Sequence, residues 1–234
     1  MLLKNRFVQS LGGGRLEQVG TGLVSFLQRQ SLGAHKSPEK IAMIKKMRRD
    51  VRGGPLTNEA FLLHSLAKAQ SKLAGDFAEV GVFRGGSARM LCEGKGDKAL
   101  HLFDTFAGLP EGTDIDGGVF RPAQYACSKD RVQAYLKDCK NVHYHQGLFP
   151  DSVIDDEEIK QKKFALAHFD VDLYEGTKAC LEFFYPRMVP GGILISHDYS
   201  ILDGVSEAFH EFLADKPEWL IDIPTTQCMI VKLP

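Results

Sequence analysis

The stretch Glu79-Val80-Gly81-Val82-Phe83-Arg84-Gly85-Gly86-Ser87-Ala88 (EVGVFRGGSA) decides how the chain is read. An apolar run enters it from Phe77, glycines interrupt it, and Ser87 opens an amphipathic segment. That pattern is a strand, a tight turn and a helix start. Glycine permits the sharp turn and lets backbone approach a ligand closely. The helix that follows leaves free N–H groups at its start. In an open α/β sheet, ligands sit beyond the carboxyl ends of the strands, so this turn is a candidate binding site. A plain structural βα turn has the same outline.

Outward from this turn, strand-like and helix-like segments alternate. The strands are Phe77–Val82, Ala99–Phe103, Val142–Gln146, Phe164–Phe169 and Gly192–Ser196; the helices are Ser87–Cys92, Ser128–Cys139 and Gly176–Tyr185. The strands are nearly continuous apolar runs, which signals burial on both faces in a parallel sheet. A further helix over Val205–Ala214 leads to Trp219–Ile223 and Thr226–Leu233, joined by a short link with Pro224. Strands joined that closely must be antiparallel. The expected fold is an α/β three-layer sandwich with a mostly parallel seven-stranded sheet and an antiparallel C-terminal edge strand.

Upstream, the first ~75 residues read as helical. Arg15–Arg29 carries Leu16, Val19, Leu23 and Phe26 or Leu27 at helical spacing. Ser37-Pro38 starts a second helix that runs to about Arg49. Gly53-Gly54-Pro55 breaks it, and Thr57 caps a third helix bearing Phe61, Leu62, Leu66 and Leu73. The division expected is a helical extension over 1–74 and a cofactor-binding domain over 75–234.

The composition, 44% hydrophobic and 25% charged in 234 residues, is that of a soluble globular chain. Neither a membrane-spanning run nor a signal-peptide core is expected. Five cysteines without a C-x-x-C pair point to reduced thiols, a cytoplasmic setting and no zinc site. Residues 1–52 hold eleven Lys or Arg against three acids. A solvated helical surface explains this surplus; so does contact with something anionic, such as a phosphorylated substrate or a membrane surface. Aromatics are not interleaved with the basic residues, so no nucleic-acid partner is expected. An amphipathic arm of this kind also suits a homo-oligomer built through the N-terminal helices.

The turn reads E-x-G-x-x-x-G-G, whereas a dinucleotide fold wants G-x-G-x-x-G. Glu79, just before the first glycine, suits the amino group of a methionine moiety and would repel a pyrophosphate. The second strand ends at Asp104, about twenty residues on, where a carboxylate can accept both ribose hydroxyls. Such an acid serves NAD and S-adenosylmethionine alike; the turn before it separates them, in favour of S-adenosylmethionine.

Asp170 and Asp172 lie two apart at the end of the fourth strand, so both side chains point the same way. Asp198 ends the neighbouring strand. Converging carboxylates suit a hard, oxygen-preferring cation. A cation lowers the pKa of a bound hydroxyl, and a nearby carboxylate takes the proton. An Asp at this strand end also has a purely structural use. The loop Glu111–Gln124, followed by Tyr125, carries Phe120 and Arg121 and reads as a lid. His143 and His145 read as two strand histidines without a third ligand, and Asp155–Glu158 as an exposed helix start.

Four segments carry a resemblance: Phe77–Ala88 (FAEVGVFRGGSA), Leu102–Pro110 (LFDTFAGLP), Gly147–Val153 (GLFPDSV) and His168–Glu175 (HFDVDLYE). They are similar to the macrocin-type O-methyltransferases, class I enzymes that methylate sugar hydroxyls of macrolide and aminocoumarin antibiotics. The resemblance covers roughly residues 55–200. It implies an S-adenosylmethionine-dependent O-methyltransferase whose small-molecule acceptor is a sugar or glycosylated metabolite, assisted by Mg2+ or another divalent metal. Glu79, Gly81, Gly85 and Ser87 would then line the methionine end, Asp104 and Phe106 the ribose, and Gly147 and Leu148 the adenine. Asp170, also near the cofactor, would hold the metal with His197 and Asp198, and Asp172 would be the general base. One position departs from the family, which has two acids before the tyrosine at 199; here the first is His197. Three roles are open to it: ligand to a softer metal, general base, or a backbone hydrogen-bonding partner and neither. Two other functions compete: a cofactor-binding scaffold without turnover, and a nucleotide-sugar oxidoreductase, which the turn sequence disfavours.

Overall fold

The structure is a computed structural model describing residues 15–234. Three helices come first: α1 (Arg15–Gly33), α2 (Pro38–Asp50) and α3 (Thr57–Gln70). Leu16, one of the expected apolar positions on α1, has a side chain outside the described residues. Pro38 opens α2 as expected, because its fixed φ and missing N–H cost nothing there. The start of α3 corrects the reading of Thr57 as its cap. Leu56 holds the cap position, and its amide donates to Glu59 Oε2 at 2.7 Å. The Thr57 hydroxyl instead donates to the Ser25 carbonyl at 2.9 Å, which ties α3 to α1.

The sheet comprises β1 (Asp76–Val80), β2 (Leu100–Asp104), β3 (Val142–Gln146), β4 (Phe164–Phe169), β5 (Met188–Ser196), β6 (Ile221–Asp222) and β7 (Cys228–Val231), in the order β3-β2-β1-β4-β5-β7-β6. β1 to β5 are parallel, and helices α4 (Gly86–Gly94), α5 (Lys129–Tyr135), α6 (Glu157–Gln161), α7 (Tyr174–Phe184) and α8 (Asp203–Leu213) connect or follow them. Asp156 caps α6 by accepting from the Ile159 amide at 3.1 Å. The chain winds one way from β1 to β3 and the other way from β4, so the switch point lies between β1 and β4. There the loops after two adjacent strands diverge and open a crevice.

Two apolar layers cover the sheet. Ile44, Met47, Ala60, Leu63 and Ala67 pack with Phe77, Leu100 and Leu102 on one face, so α2 and α3 share a core with the strands. Phe103, Phe149, Phe164, Phe169 and Phe184 fill the other face beneath α7 and α8. Alternation assigns neighbours in β1 to opposite layers: Phe77 to the first, Ala78 and Val80 to the second.

Element ends differ from expectation where backbone geometry intervenes. β1 stops at Val80 because Gly81 takes φ 83°. β5 begins four residues early because Met188 pairs with Phe164 of β4, ahead of a shift in register between the two strands. α5 ends before Leu136, short of the expected Cys139. The reversed strand β7 lies one place in from the edge, and β6 closes that edge. Both residues of β6 are exposed, so little burial supports a longer strand.

Candidate active site

A cavity of about 650 Å³ opens at the carboxyl ends of β1, β2, β4 and β5. That is within the ~300–1,000 Å³ range of small-molecule sites. Gly81, Val82 and Ser87 line one part, and Asp170, Asp172, His197 and Asp198 another. Glu111, Phe120 and Tyr125 reach it from the long loop after β2, and Gly54, Pro55 and Leu56 from the link before α3. Phe83 of the glycine turn meets Tyr125 edge to face, with ring centroids 5.5 Å apart.

Gly81 explains why the first glycine is required. A Cβ there would lie 1.8 Å from the Asp170 carbonyl oxygen, and Asp170 in turn donates its amide to the Val80 carbonyl at 2.9 Å. The turn after β1 and the end of β4 therefore touch through bare backbone. Asp104 stands over the same turn. Its Oδ2 accepts from Val82 N at 2.6 Å and Phe83 N at 3.1 Å, and its Oδ1 accepts from Phe106 N at 2.6 Å. Gly147 and Leu148 line the cavity after β3, with Leu148 48% exposed.

Three residues expected at the cofactor are placed elsewhere. Glu79 is 0% exposed and does not line the cavity. It projects into the sheet's interior, where Oε1 is 2.9 Å from His168 Nδ1, its register partner on β4. Gly85 does not line it either: at φ 81° it precedes α4, and its open side faces Val132, Tyr135 and Leu136. Gly86, whose open side faces Gly54 and Pro55, takes its place. Phe106 is buried in the first apolar layer, and only its amide serves Asp104.

The loops after β4 and β5 bring the acids together. His197 Nδ1 lies 3.0 Å from Asp198 Oδ1 and 3.7 Å from Asp170 Oδ1. Its Nε2 lies 3.1 Å from Glu59 Oε2. Burial alone would lower the His197 pKa; the carboxylates of Asp198, Glu59 and Asp170 outweigh it and raise it well above its ordinary value. Burial pushes Asp170 up to about 6 against the pull of His197. Burial and the charges of Asp198 and Asp170 also raise Asp172 far above the carboxylate range, and its carboxyl hydrogen-bonds Asp198. Asp198 and Glu59 stay low despite burial because His197 faces both.

Single donor atoms of Asp170, His197 and Asp198 lie within 4.8 Å of one another. Both ring nitrogens of His197 are buried and neither meets an acceptor in line, so Nδ1, on the side of Asp170 and Asp198, is placed to ligate. Two carboxylates and an imidazole fit a divalent cation, and a first-row metal ion that accepts nitrogen, such as Mn2+, better than Mg2+.

Glu59 is the residue that sequence reasoning missed. Its one sequence signal, an acid three residues into a helix, is fully explained by capping. The spatial third partner of His143 and His145 was also hidden. His101 Nδ1 is 3.1 Å from His145 Nε2, His101 Nε2 is 3.3 Å from Asp76 Oδ2, and the His143 ring stacks at 4.9 Å. None of these four lines the cavity.

The sequence profile of the macrocin O-methyltransferases matches residues 62–226. The chain belongs to the macrocin O-methyltransferase family. Within that family, it is 31% identical over 156 residues to the 8-demethyl-8-(2,3-dimethoxy-alpha-L-rhamnosyl)-tetracenomycin-C 4'-O-methyltransferase of Streptomyces olivaceus, covering 59% of this chain and 58% of that one. The chain spans less than two thirds of the length of the curated relatives it matches. The fold matches that of the O-methyltransferase NovP, with a TM-score of 0.67 at 23% identity, over 76% of this chain and 81% of that one. An O-methyltransferase from Bacillus cereus in complex with SAH superposes with a TM-score of 0.59 at 16% identity, over 88% and 97% of the two chains. A methyltransferase fold is thus established: a mostly parallel seven-stranded sheet with N-terminal helices and antiparallel C-terminal strands.

Proposed function

We propose that the chain is an S-adenosylmethionine-dependent O-methyltransferase that acts on a hydroxyl of a sugar or glycosylated small molecule. One observation carries this reading: the glycine turn with Asp104 and the acid–imidazole cluster face a single cavity. The first suits a nucleoside with a methionine tail; the second suits a hydroxyl that must lose its proton. Family membership and the rhamnosyl-directed relative support the sugar.

In this reading Gly81 and Ser87 receive the methionine end, Asp104 the ribose, and Gly147 and Leu148 the adenine. Asp172 is the base. In the free protein burial and the charges of Asp198 and Asp170 raise its pKa; the positive sulfonium favours its ionised form. Asp172 then takes the acceptor's proton as the acceptor oxygen attacks the methyl carbon and the sulfonium leaves as a thioether. A divalent cation held by Asp170, His197 and Asp198 would supply Lewis acidity to that oxygen. Nine lining side chains are Asp or Glu and one is Arg, which favours a neutral or cationic acceptor over an anionic one.

The remaining assignments are coarser. We place the described residues 15–74 as a helical extension and 75–234 as the cofactor-binding portion of one folding unit; the expected extension over 1–14 lies outside the described residues. Val19 is 72% exposed on α1, with Leu23, Phe26 and Leu27 exposed beside it. Such a stripe suits a homo-oligomer. Five free thiols suit the cytoplasm, and no described helix is long and apolar enough to cross a membrane.

Titration calorimetry with S-adenosylhomocysteine tests the cofactor: micromolar binding is expected, and none at millimolar ligand refutes the reading. Methyl transfer to glycosylated acceptors, with and without EDTA, tests the metal.

A further inference from the structure

The chemistry above leaves Glu59 without a task, although it is 1% exposed and borders the reaction cavity. It arrives from the first turn of α3, not from the sheet. Its oxygens are held on two sides: Oε2 by the Leu56 amide at 2.7 Å, Oε1 by the Thr226 hydroxyl at 3.1 Å. That leaves Oε2 fixed at 3.1 Å from His197 Nε2, while Nδ1 on the other edge of the ring faces Asp198 and Asp170.

An imidazole has two chemically distinct edges, and what binds one decides what the other can do. We propose that Glu59 is a positioning residue: with Oε2 held 3.1 Å from Nε2 of His197 it favours a proton on that nitrogen and commits Nδ1 to the Asp170–Asp198 side, as ligand to a divalent cation. The proposal rests on the methyltransferase reading only for the purpose of that cation. A ligating histidine whose second N–H meets a carboxylate is oriented and made a stronger donor, and loss of that partner typically costs about 10–100-fold in metal affinity. The N-terminal extension is then part of the reaction centre. Gly54, Pro55 and Leu56, which line the same cavity, precede Glu59 directly.

The test is Mn2+ binding to the full chain, read by electron paramagnetic resonance of the free ion, with S-adenosylhomocysteine affinity measured alongside. Glu59→Leu should weaken Mn2+ about 10–100-fold. Glu59→Gln, whose amide oxygen still accepts Nε2–H, should fall between it and wild type. Thr226→Val removes only the Oε1 hydrogen bond and leaves Oε2 held by the Leu56 amide, so it should weaken Mn2+ less than Glu59→Leu does. The decisive comparison is made in a His197→Asp background. A positioning role through His197 predicts that Glu59→Gln then has no further effect on Mn2+; a merely structural Glu59 would weaken both backgrounds equally. If Glu59→Leu does not fold, Glu59→Gln and this cycle carry the test. Wild-type Mn2+ affinity in Glu59→Gln and Glu59→Leu, or equal losses in both backgrounds, overturns the proposal. Wild type that binds S-adenosylhomocysteine but not Mn2+ overturns it and leaves the methyltransferase reading standing. Binding of Mn2+ without S-adenosylhomocysteine overturns that reading instead, and the Glu59 comparison still stands.

Discussion

Replacing Asp104 with Asn separates two jobs that its carboxylate performs. The two oxygens gather three amides from two loops: Val82 and Phe83 on Oδ2, Phe106 on Oδ1. An asparagine side chain offers one oxygen. Turned one way, its NH2 group faces the amides of Val82 and Phe83; turned the other way, it faces Phe106. Either orientation loses at least one hydrogen bond to a charged group, worth about 1.5–3 kcal/mol, and weakens the rest. The total is about 2–4 kcal/mol, spent partly on the order of the glycine turn and partly on ligand affinity. Divided evenly, about 1–2 kcal/mol falls on each; for a chain of this size each 1 kcal/mol moves Tm by about 2–4 °C, so the ligand-free variant should melt at least about 2 °C below wild type. S-adenosylhomocysteine affinity should fall at least about fivefold, since 1.4 kcal/mol is a factor of ten. Differential scanning fluorimetry and calorimetry measure the two. An unchanged Tm with weakened binding would show that Asp104 serves the ribose alone and does not hold the turn. Unchanged Tm and unchanged affinity would refute both parts of the reasoning.

Two further perturbations probe the frame around the site. Gly81→Ala puts a Cβ 1.8 Å from the Asp170 carbonyl at φ 83°. No side-chain rotation relieves that clash, so a loss above about 4 kcal/mol is expected. Gly96→Ala, at φ 63° with open space around it, costs only about 1–2 kcal/mol of backbone strain; equal melting temperatures for the two variants would disprove the close approach. Burial first, and His101 next, hold the His145 pKa down to about 4. The folded value lies below the unfolded ~6.5, so the unfolded chain binds the extra proton. Stability is therefore complete above about 6.5 and is lost as pH falls toward 4, by about 2–3 kcal/mol. Urea unfolding of wild type and His145→Gln at several pH values should show a flatter dependence for the variant, and parallel curves would contradict it.

The strands and their order of burial were legible because apolar runs and glycine breaks are local signals. So were Asp170, Asp172 and Asp198, since a period of two and the ends of adjacent strands place them together. What failed depended on register and on remote neighbours. Glu79 was read as a ligand contact, but its partner His168 lies 89 residues away, and only the β1–β4 register makes them meet. Gly85 and Phe106 stand beside true lining residues in sequence, yet point into α5 and the core. Glu59 carries only the signal of a capping acid, and capping does engage its Oε2. No local pattern announces that the same oxygen also reaches a histidine 138 positions later.

The backbone itself shows how this site is held. Seven residues other than glycine take a left-handed φ among those described, and six of them border the cavity or its loops: Phe83, Phe106, Ala123, Tyr125, Asp172 and Asp198. Each such conformation costs of order 1–3 kcal/mol and persists only where its surroundings enforce it. Two of the site's own acids enforce three of them. Asp104 holds the amides of the two phenylalanines, and the Asp198 carbonyl accepts from Ile201 and Leu202 in a tight turn. Gly81 and Asp170 press together at backbone contact distance between these turns. The Asp104 carboxylate thus shapes the turns beside it, and backbone contact joins them to the acid cluster, so the two ends form one mechanical unit. Substitutions at Asp104 and Asp170 share this network and are not independent; a double variant measures the coupling of the two ends, not the sum of two separate contacts.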